Sequence, residues 1–159
     1  MKDKEDAGLR GHVGFRRCIR PEFERASKAF FDRVRDGTLE AVISALVLDE
    51  LAWAPAQVRE LFEGLDPRLL RVATGDAMYD LRRAYLDANV VSPRWAADAL
   101  HVAVATVSGC RAIVSWNFRH IVNYKRIPLY NGVNQMQGYG PIAIHSPQEM
   151  IFHDGEEEL

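Results

Sequence analysis

The sequence predicts a three-layer α/β domain with a mainly parallel sheet flanked by helices. Short apolar runs of strand length occur at residues 40–43, 112–115 and 141–144, each bounded by turn signals. They alternate with longer segments whose apolar residues recur at helical spacing, and this alternation favours parallel strands covered by helices. The 159 residues of the chain suffice for one such domain with a sizeable core.

The first helix and strand follow from proline, glycine and serine signals. Pro21 suits the first turn of a helix, where its missing N–H is no loss, and Gly37 can end that helix. The apolar residues that keep helical spacing in it are Phe23, Ala26, Ala29, Phe30 and Val34. Residues 40–43 predict a short strand, after which Ser44 can cap a helix over residues 45–53.

Two more helices are expected before the middle of the chain. Pro55 begins the first of them and Gly64 ends it. Residues 69–73 fit either a strand or a helix. Thr74 can cap the second helix, which runs from about residue 76 to residue 87. Its expected buried residues are Met78, Leu81, Ala84 and Tyr85.

The second half of the chain begins with a strongly apolar helix over residues 98–107, which Gly109 ends. Residues 112–115 predict a buried strand, and residues 141–144 predict the last strand. Ser146 then opens a short helix with proline at its first position. A glutamate follows the serine by three residues, which is the pattern of a capping box.

Composition and charge exclude several classes of protein. The 48% apolar and 26% charged residues exclude a disordered chain, a collagen-like repeat and a coiled coil. The chain has 20 Lys and Arg and 22 Asp and Glu, so its formal net charge is −2. Any nucleic-acid binding therefore needs a local basic patch. Two cysteines without a CxxC pair exclude a disulfide framework and favour a reducing, cytoplasmic compartment. No apolar run approaches the roughly 20 residues of a membrane span, so no membrane association is expected.

The chain divides into three expected segments. Residues 1–20 mix basic residues with glycines and show no apolar period, which predicts an irregular N-terminal arm. Their charged beginning leads into no apolar run, so no secretion signal is expected. Residues 21–151 form the α/β domain. Residues 152–159 predict a solvated acidic tail.

Three polar residues lie where an active site of a parallel α/β sheet is expected. Asp98 begins the apolar helix, Asn117 follows the strand that ends at residue 115, and Glu50 lies within two helical turns of the first strand. In such sheets, ligands bind beyond the carboxyl ends of the strands. We therefore expect Glu50, Asp98 and Asn117 to share one edge.

Two carboxylates held together favour a hard cation such as Mg²⁺, which can activate water and stabilise charge on a phosphoryl oxygen. Glu50 and Asp98 are thus candidate metal ligands, and Asn117 could orient a water or a phosphate. Other interpretations remain open. Asp98 can be an acid favoured in the first turn of a helix, Glu50 a solvated residue, and Asn117 a turn former. His101 and, still less, His120 are expected to be hydrogen-bonded histidines rather than ligands.

A basic strip follows the apolar helix of residues 98–107. It consists of Arg111, Arg119, Lys125 and Arg126, and no Asp or Glu interrupts it. A strip of this kind suits a phosphate backbone, although a solvated loop would look the same. Trp53 and Trp116 are expected to pack in the core, and an exposed Trp116 could stack on a base.

Three segments together resemble PIN-domain proteins. They are residues 42–51 (VISALVLDEL), 98–105 (DALHVAVA) and 113–121 (IVSWNFRHI). Their order and spacing agree with the branch of VapC-type toxin ribonucleases and PIN-like proteins. The resemblance extends over roughly residues 21–151.

This resemblance implies a parallel five-stranded sheet with helices on both sides, and an acidic cluster that binds Mg²⁺ or Mn²⁺ for RNA cleavage. Glu50 matches the second acid of the family and Asp98 the third. Asn117 takes the position where many members have a fourth acid. Members of the toxin type usually pair with a small antitoxin protein and often form homodimers, which the resemblance implies here too.

The chain departs from the family at its beginning. PIN domains open with a short apolar strand that ends in a metal-binding Asp, and residues 1–20 contain no such strand. The first strand is therefore missing or replaced. Two hypotheses follow: a Mg²⁺-dependent endoribonuclease of the toxin–antitoxin type, or a catalytically impaired PIN-like module that binds RNA or a partner protein.

Overall fold

A computed structural model describes residues 19–152 of the chain. The described residues form two compact units. Unit 1 contains residues 19–71 and 147–152, and unit 2 is Val72–Ser146. The sequence predicted one domain over residues 21–151. The N-terminal arm and the acidic tail lie almost wholly outside the described residues.

Helices and short strands alternate along the described chain, which makes it a mixed α/β protein as predicted. In chain order the elements are α1 (Pro21–Arg35), β1 (Ala41–Ser44), α2 (Ala45–Leu51), α3 (Ala56–Glu63), β2 (Leu69–Val72), α4 (Asp76–Asp87), α5 (Ala96–Val107), β3 (Ala112–Val114), α6 (Ile127–Met136), β4 (Ala143–His145) and α7 (Pro147–Phe152). Single 3₁₀ turns occupy Asp66–Arg68 and Pro93–Trp95.

Unit 1 packs α1 against α7 and pairs β1 with β2. Phe31 of α1 is buried and meets Phe62 of α3 edge to face, with ring centroids 5.3 Å apart. The Ser44 hydroxyl accepts a hydrogen bond from the Val47 backbone N–H at 3.3 Å, which confirms the predicted cap of α2. Residues 69–72, which fitted either element, form a strand.

Unit 2 is built on α4 and α5, which make the most extensive helix contact in the described chain. Buried residues of α4 are Met78, Leu81 and Tyr85, three of the four predicted, whereas Ala84 is only half-buried. Helix α5 buries Ala99, Leu100, Val102, Ala103, Val104 and Thr106. Full burial contributes about 1.5–3 kcal/mol for each of Leu100, Val102 and Val104, so this helix is the centre of the unit.

The two strands of unit 2 form a parallel pair, as the sequence predicted. Ala112, Ile113 and Val114 of β3 lie opposite Ala143, Ile144 and His145 of β4. The Ser115 N–H extends the pairing by donating to the His145 carbonyl at 2.9 Å. Among the described residues, β1 with β2 and β3 with β4 form two separate two-stranded sheets.

A buried polar network ties α4, α5 and α6 together. The Tyr85 hydroxyl donates to the Asn134 side-chain oxygen, and the Asn134 amide donates to the Thr106 hydroxyl at 3.3 Å. The Tyr85 ring meets the Tyr130 ring edge to face, with centroids 5.0 Å apart. Burial raises the pKa of Tyr85 to about 12, so its hydroxyl keeps the hydrogen that it donates.

Three local predictions need correction. Thr74 does not cap α4, because Gly75 occupies the cap position and the Thr74 hydroxyl instead accepts from Tyr79 at 3.3 Å. Helix α5 begins at Ala96, two residues before the predicted start, because a 3₁₀ turn leads into it. Trp53 does not pack in the core, since it is 77% exposed just after α2.

Helix α6 was not predicted from the sequence. Its segment contains proline, glycine and two asparagines, all of which favour turns over helix interiors. The helix forms because Tyr130, Val133 and Asn134 are buried against the rest of unit 2. None of the helices in residues 19–152 has the length and apolar character that a bilayer crossing requires.

Candidate functional site

Asp98 lies in the first turn of α5, where a negative charge is stabilised by the positive end of the helix dipole. Its side chain is 22% exposed, so the carboxylate reaches solvent. One carboxylate oxygen accepts a hydrogen bond from Nδ1 of His120 at 2.8 Å. Because His120 follows β3 by six residues, the pairing brings together two elements that are distant in sequence.

His120 is held from several directions. Its side chain is only 5% exposed. Its ring stacks on the Trp95 ring with centroids 4.1 Å apart and an interplanar angle of 34°. Its backbone carbonyl accepts a hydrogen bond from the buried Tyr130 hydroxyl at 3.0 Å. The imidazole is therefore a fixed support for the Asp98 carboxylate.

The environment of His120 favours its neutral form. Burial lowers the pKa of His120, and the positive charges of Arg126 and Arg119 act in the same direction. The Asp98 carboxylate opposes this shift without reversing it. Since a carboxylate only accepts, the single ring hydrogen of neutral His120 resides on Nδ1 and points to Asp98.

The lowered pKa of His120 makes the stability of unit 2 sensitive to acid. As the pH falls through the ordinary histidine pKa of 6.5, the unfolded chain binds a proton that the folded chain does not. The free energy of unfolding should therefore decrease from pH 7 to pH 5. In urea titrations, His120→Gln should show a shallower decrease than the wild type. Parallel pH profiles for the wild type and His120→Gln would contradict this.

Asn117 forms the turn that delivers His120. Its side-chain oxygen accepts from the backbone N–H groups of Arg119 at 3.3 Å and His120 at 3.1 Å. Its own N–H donates to the Ser115 hydroxyl at 3.0 Å, and its carbonyl accepts from Val122 at 2.8 Å. These contacts match the turn-forming alternative considered for Asn117. Its predicted role toward a water or a phosphate stays a prediction.

Unit 2 thus brings Asp98 and His120 together next to the Asn117 turn, while Glu50 belongs to α2 of unit 1 and is half-buried there. Within the described part of the chain, no three His, Cys, Asp or Glu residues form a group that could hold a metal ion. The pairing of Glu50 with Asp98 stays a prediction.

The predicted basic strip divides at β3. Arg111 immediately precedes that strand, whereas Arg119, Lys125 and Arg126 follow it. Arg119 and Lys125 are exposed, and none of these three cations forms an ion pair with another residue in the range 19–152. The cations that follow β3 are thus adjacent in the chain to His120, which supports Asp98.

Two arginines of this region have further contacts. The Arg126 guanidinium donates through Nη1 to the Val90 carbonyl. Its Nε is buried and has no hydrogen-bond partner among the described residues. The Arg119 guanidinium lies 5.5 Å from the Trp95 ring centroid, and that of Arg94 lies 5.4 Å from the same centroid. Arg94 and Arg119 therefore lie at the Trp95 ring that stacks on His120, and the charges of Arg119 and Arg126 act on His120 itself.

The sequence patterns only weakly favour a role for His120 and do not point to Trp95. The available signal is short-range: His120 follows a turn-forming asparagine by three residues, and Trp95 precedes the Asp98 helix directly. Neither spacing reveals a contact between residues 22 positions apart. Trp116, by contrast, is buried as expected.

Unit 1 contains an open, largely apolar pocket of about 380 Å³. It is lined by Ile43, Leu48, Leu51, Ala52, Arg59, Phe62, Glu63, Leu69 and Arg71. Glu50 is not among the lining residues, so the pocket does not include a predicted site residue.

Comparison with known proteins adds no match: no protein-family model, no curated protein and no solved structure matches the chain. The arrangement around Asp98 is therefore the main structural support for a functional assignment.

Proposed function

We propose that this chain is a Mg²⁺-dependent endoribonuclease of the toxin–antitoxin type, built on a three-layer PIN-like fold. The observation that carries the proposal is the Asp98 carboxylate, which is part-exposed and held by buried His120, a residue on which the positive charges of Arg119 and Arg126 act. A fixed carboxylate can bind a metal ion, and nearby cations can bind phosphates.

Asp98 suits a metal ion that retains several of its waters. Mg²⁺ is usually bound through one or two carboxylates together with substrate phosphates. Ligating carboxylates are commonly hydrogen-bonded from behind, as Asp98 is by His120. Asn117 suits the ion less, because its oxygen already accepts from two N–H groups. Glu50 is the proposed second carboxylate on the resemblance alone.

A bound Mg²⁺ or Mn²⁺ would activate water and stabilise charge on the scissile phosphate. The residues of the protein would hold the metal ion and the RNA. The Asp98 carboxylate would bind the metal ion, and neutral His120 would keep that carboxylate oriented through its Nδ1 hydrogen. Arg119, Lys125 and Arg126 would hold the RNA backbone by charge, which makes the affinity for RNA dependent on salt.

The proposal includes partners and a location. A small antitoxin protein and a second copy of the chain are the partners that the resemblance implies, and a cytoplasmic location fits the cysteine content. The first strand of the fold is missing or replaced in this proposal.

A PIN-like module that binds RNA or a protein without cleaving is the second candidate. Two observations favour it: the Asn117 oxygen is engaged in its turn, and no three-residue metal group occurs among residues 19–152. This candidate shares the basic residues that follow β3 but needs no divalent cation.

Cleavage of end-labelled RNA separates the two candidates. The purified chain should produce discrete fragments in Mg²⁺ or Mn²⁺ and none in EDTA. Calorimetry should detect Mg²⁺ uptake by the protein in the absence of RNA. Intact RNA under all conditions, with no heat of Mg²⁺ binding, would reject the nuclease and favour the binding module.

A further inference from the structure

The loop between β3 and α6 is braced by a second asparagine. The Asn123 amide donates to the Arg119 carbonyl at 3.2 Å, and its side-chain oxygen accepts from the Lys125 N–H at 3.0 Å. Its backbone carbonyl accepts from the N–H groups of Arg126 and Ile127, both at 2.9 Å. The backbone that carries the cations is therefore fixed by local hydrogen bonds.

This fixed backbone sorts its side chains into two groups. His120 and Ile121 are buried, whereas Arg119, Tyr124 and Lys125 are exposed. Tyr124 is 80% exposed, and so little burial contributes little to folding. The Lys125 ammonium lies 5.8 Å from the centroid of the Tyr124 ring. An aromatic ring is thus displayed beside cations that have no acidic partner among the described residues.

We propose that Tyr124 stacks on an unpaired base, and that Lys125 and Arg119 contact the phosphates beside it. The site then takes single-stranded RNA rather than a duplex, and this inference rests on the proposed function in RNA processing. An aromatic ring beside a positive backbone track is how proteins bind single strands. In a duplex the bases are already stacked, so Tyr124 finds no free base face.

The charge of the loop favours RNA over a protein partner. Between Arg111 and Arg126 the sequence contains no Asp or Glu, and the exposed residues of this segment are the cations Arg111, Arg119 and Lys125 and the aromatic Tyr124. A phosphate backbone with accessible bases matches both features.

Fluorescence anisotropy with a short labelled oligouridine tests this inference. The measurement is made in EDTA, so that binding is separated from metal-dependent cleavage. Tyr124→Ala and Tyr124→Leu should each weaken binding by about 5-fold or more, and Tyr124→Phe should retain it. A labelled duplex should bind more weakly, with an affinity that does not respond to Tyr124 substitution.

Tyr79→Ala is the matched control, because Tyr79 is a 38% exposed tyrosine of the same unit with the Arg82 guanidinium 5.1 Å from its ring centroid. Lys125→Ala should weaken RNA binding. It should also reduce the slope of log affinity against log salt concentration by about one. Arg111→Ala, at the other end of β3, should change binding less.

Several results would overturn the inference. They are wild-type affinity in Tyr124→Ala, retained affinity in Tyr124→Leu, an equal loss in Tyr79→Ala, or no RNA binding by the wild type. Retained affinity in Tyr124→Leu would point to an apolar contact of the kind a protein makes. If binding depends on Tyr124 but no RNA is cleaved, the proposed nuclease fails while the single-strand site stands.

Discussion

The Asp98→Asn variant should lose at least about 100-fold in Mg²⁺-dependent RNA cleavage while remaining folded. Loss of a hydrogen-bond partner behind a metal ligand already costs 10–100-fold, and loss of the ligand's charge should cost more. Asparagine keeps the size of the side chain and an oxygen that can accept from His120 Nδ1. The substitution therefore removes the charge and leaves the His120 contact in place.

Asp76→Asn is the control for this experiment. Asp76 lies in the first turn of α4, which has 12 residues like α5, so both substitutions remove an acid from the first turn of an equally long helix. The small dipole effect on stability should be similar in the two variants. Only Asp98→Asn should lose cleavage. Equal activity in the two variants would show that Asp98 does not bind the metal.

The second large effect concerns stability. Asn134→Leu should lower the free energy of unfolding by about 2–3 kcal/mol. Asn134 is fully buried, accepts from the Tyr85 hydroxyl and donates to the Thr106 hydroxyl. Leucine has a similar size, so the loss comes mainly from buried hydroxyl groups left without their partner, rather than from a cavity.

A double variant identifies the cause. Tyr85→Phe removes the hydroxyl that Asn134→Leu leaves without its acceptor, so the double variant should be more stable than Asn134→Leu alone. Urea unfolding followed by circular dichroism measures all three variants. If the two substitutions destabilise additively, the hydrogen bond between Tyr85 and Asn134 contributes nothing and this account of unit 2 is wrong.

Local chain signals predicted much of the secondary structure. Pro21 and Gly37 bracket α1, and Ser44 caps α2 as expected, because these effects depend on only a few neighbouring residues. Helix α6 could not be found in this way. Its sequence is a poor helix former, and its helical state depends on burial of residues such as Tyr130 against the rest of unit 2.

The site residues likewise divide into those that local sequence signals predict and those that depend on packing across the fold. Asp98 stood out because an acid opens an otherwise apolar helix, and Asn117 because it follows a strand. His120 did not, because its contact with Asp98 spans 22 residues and depends on the packing of α5, Trp95 and Tyr130. Periodicity reports which face of an element is buried, but it carries no information on partners across the fold.

The sheet could be predicted only in part. The parallel pairing of β3 with β4 follows from two short apolar runs separated by a long connection, since parallel neighbours need one. The single mainly parallel sheet stays a prediction, because the strands of the described residues form two two-stranded sheets. Residues 1–18, where the first strand was expected to be missing or replaced, lie outside the described residues.

Manganese titration followed by electron paramagnetic resonance tests most directly whether Asp98 is the carboxylate that binds a divalent cation. The signal of free Mn²⁺ should fall on addition of the wild-type chain or of Asp76→Asn. With Asp98→Asn, the affinity should be at least about 10-fold weaker. Equal binding by all three proteins, or no binding by the wild type, would contradict the account.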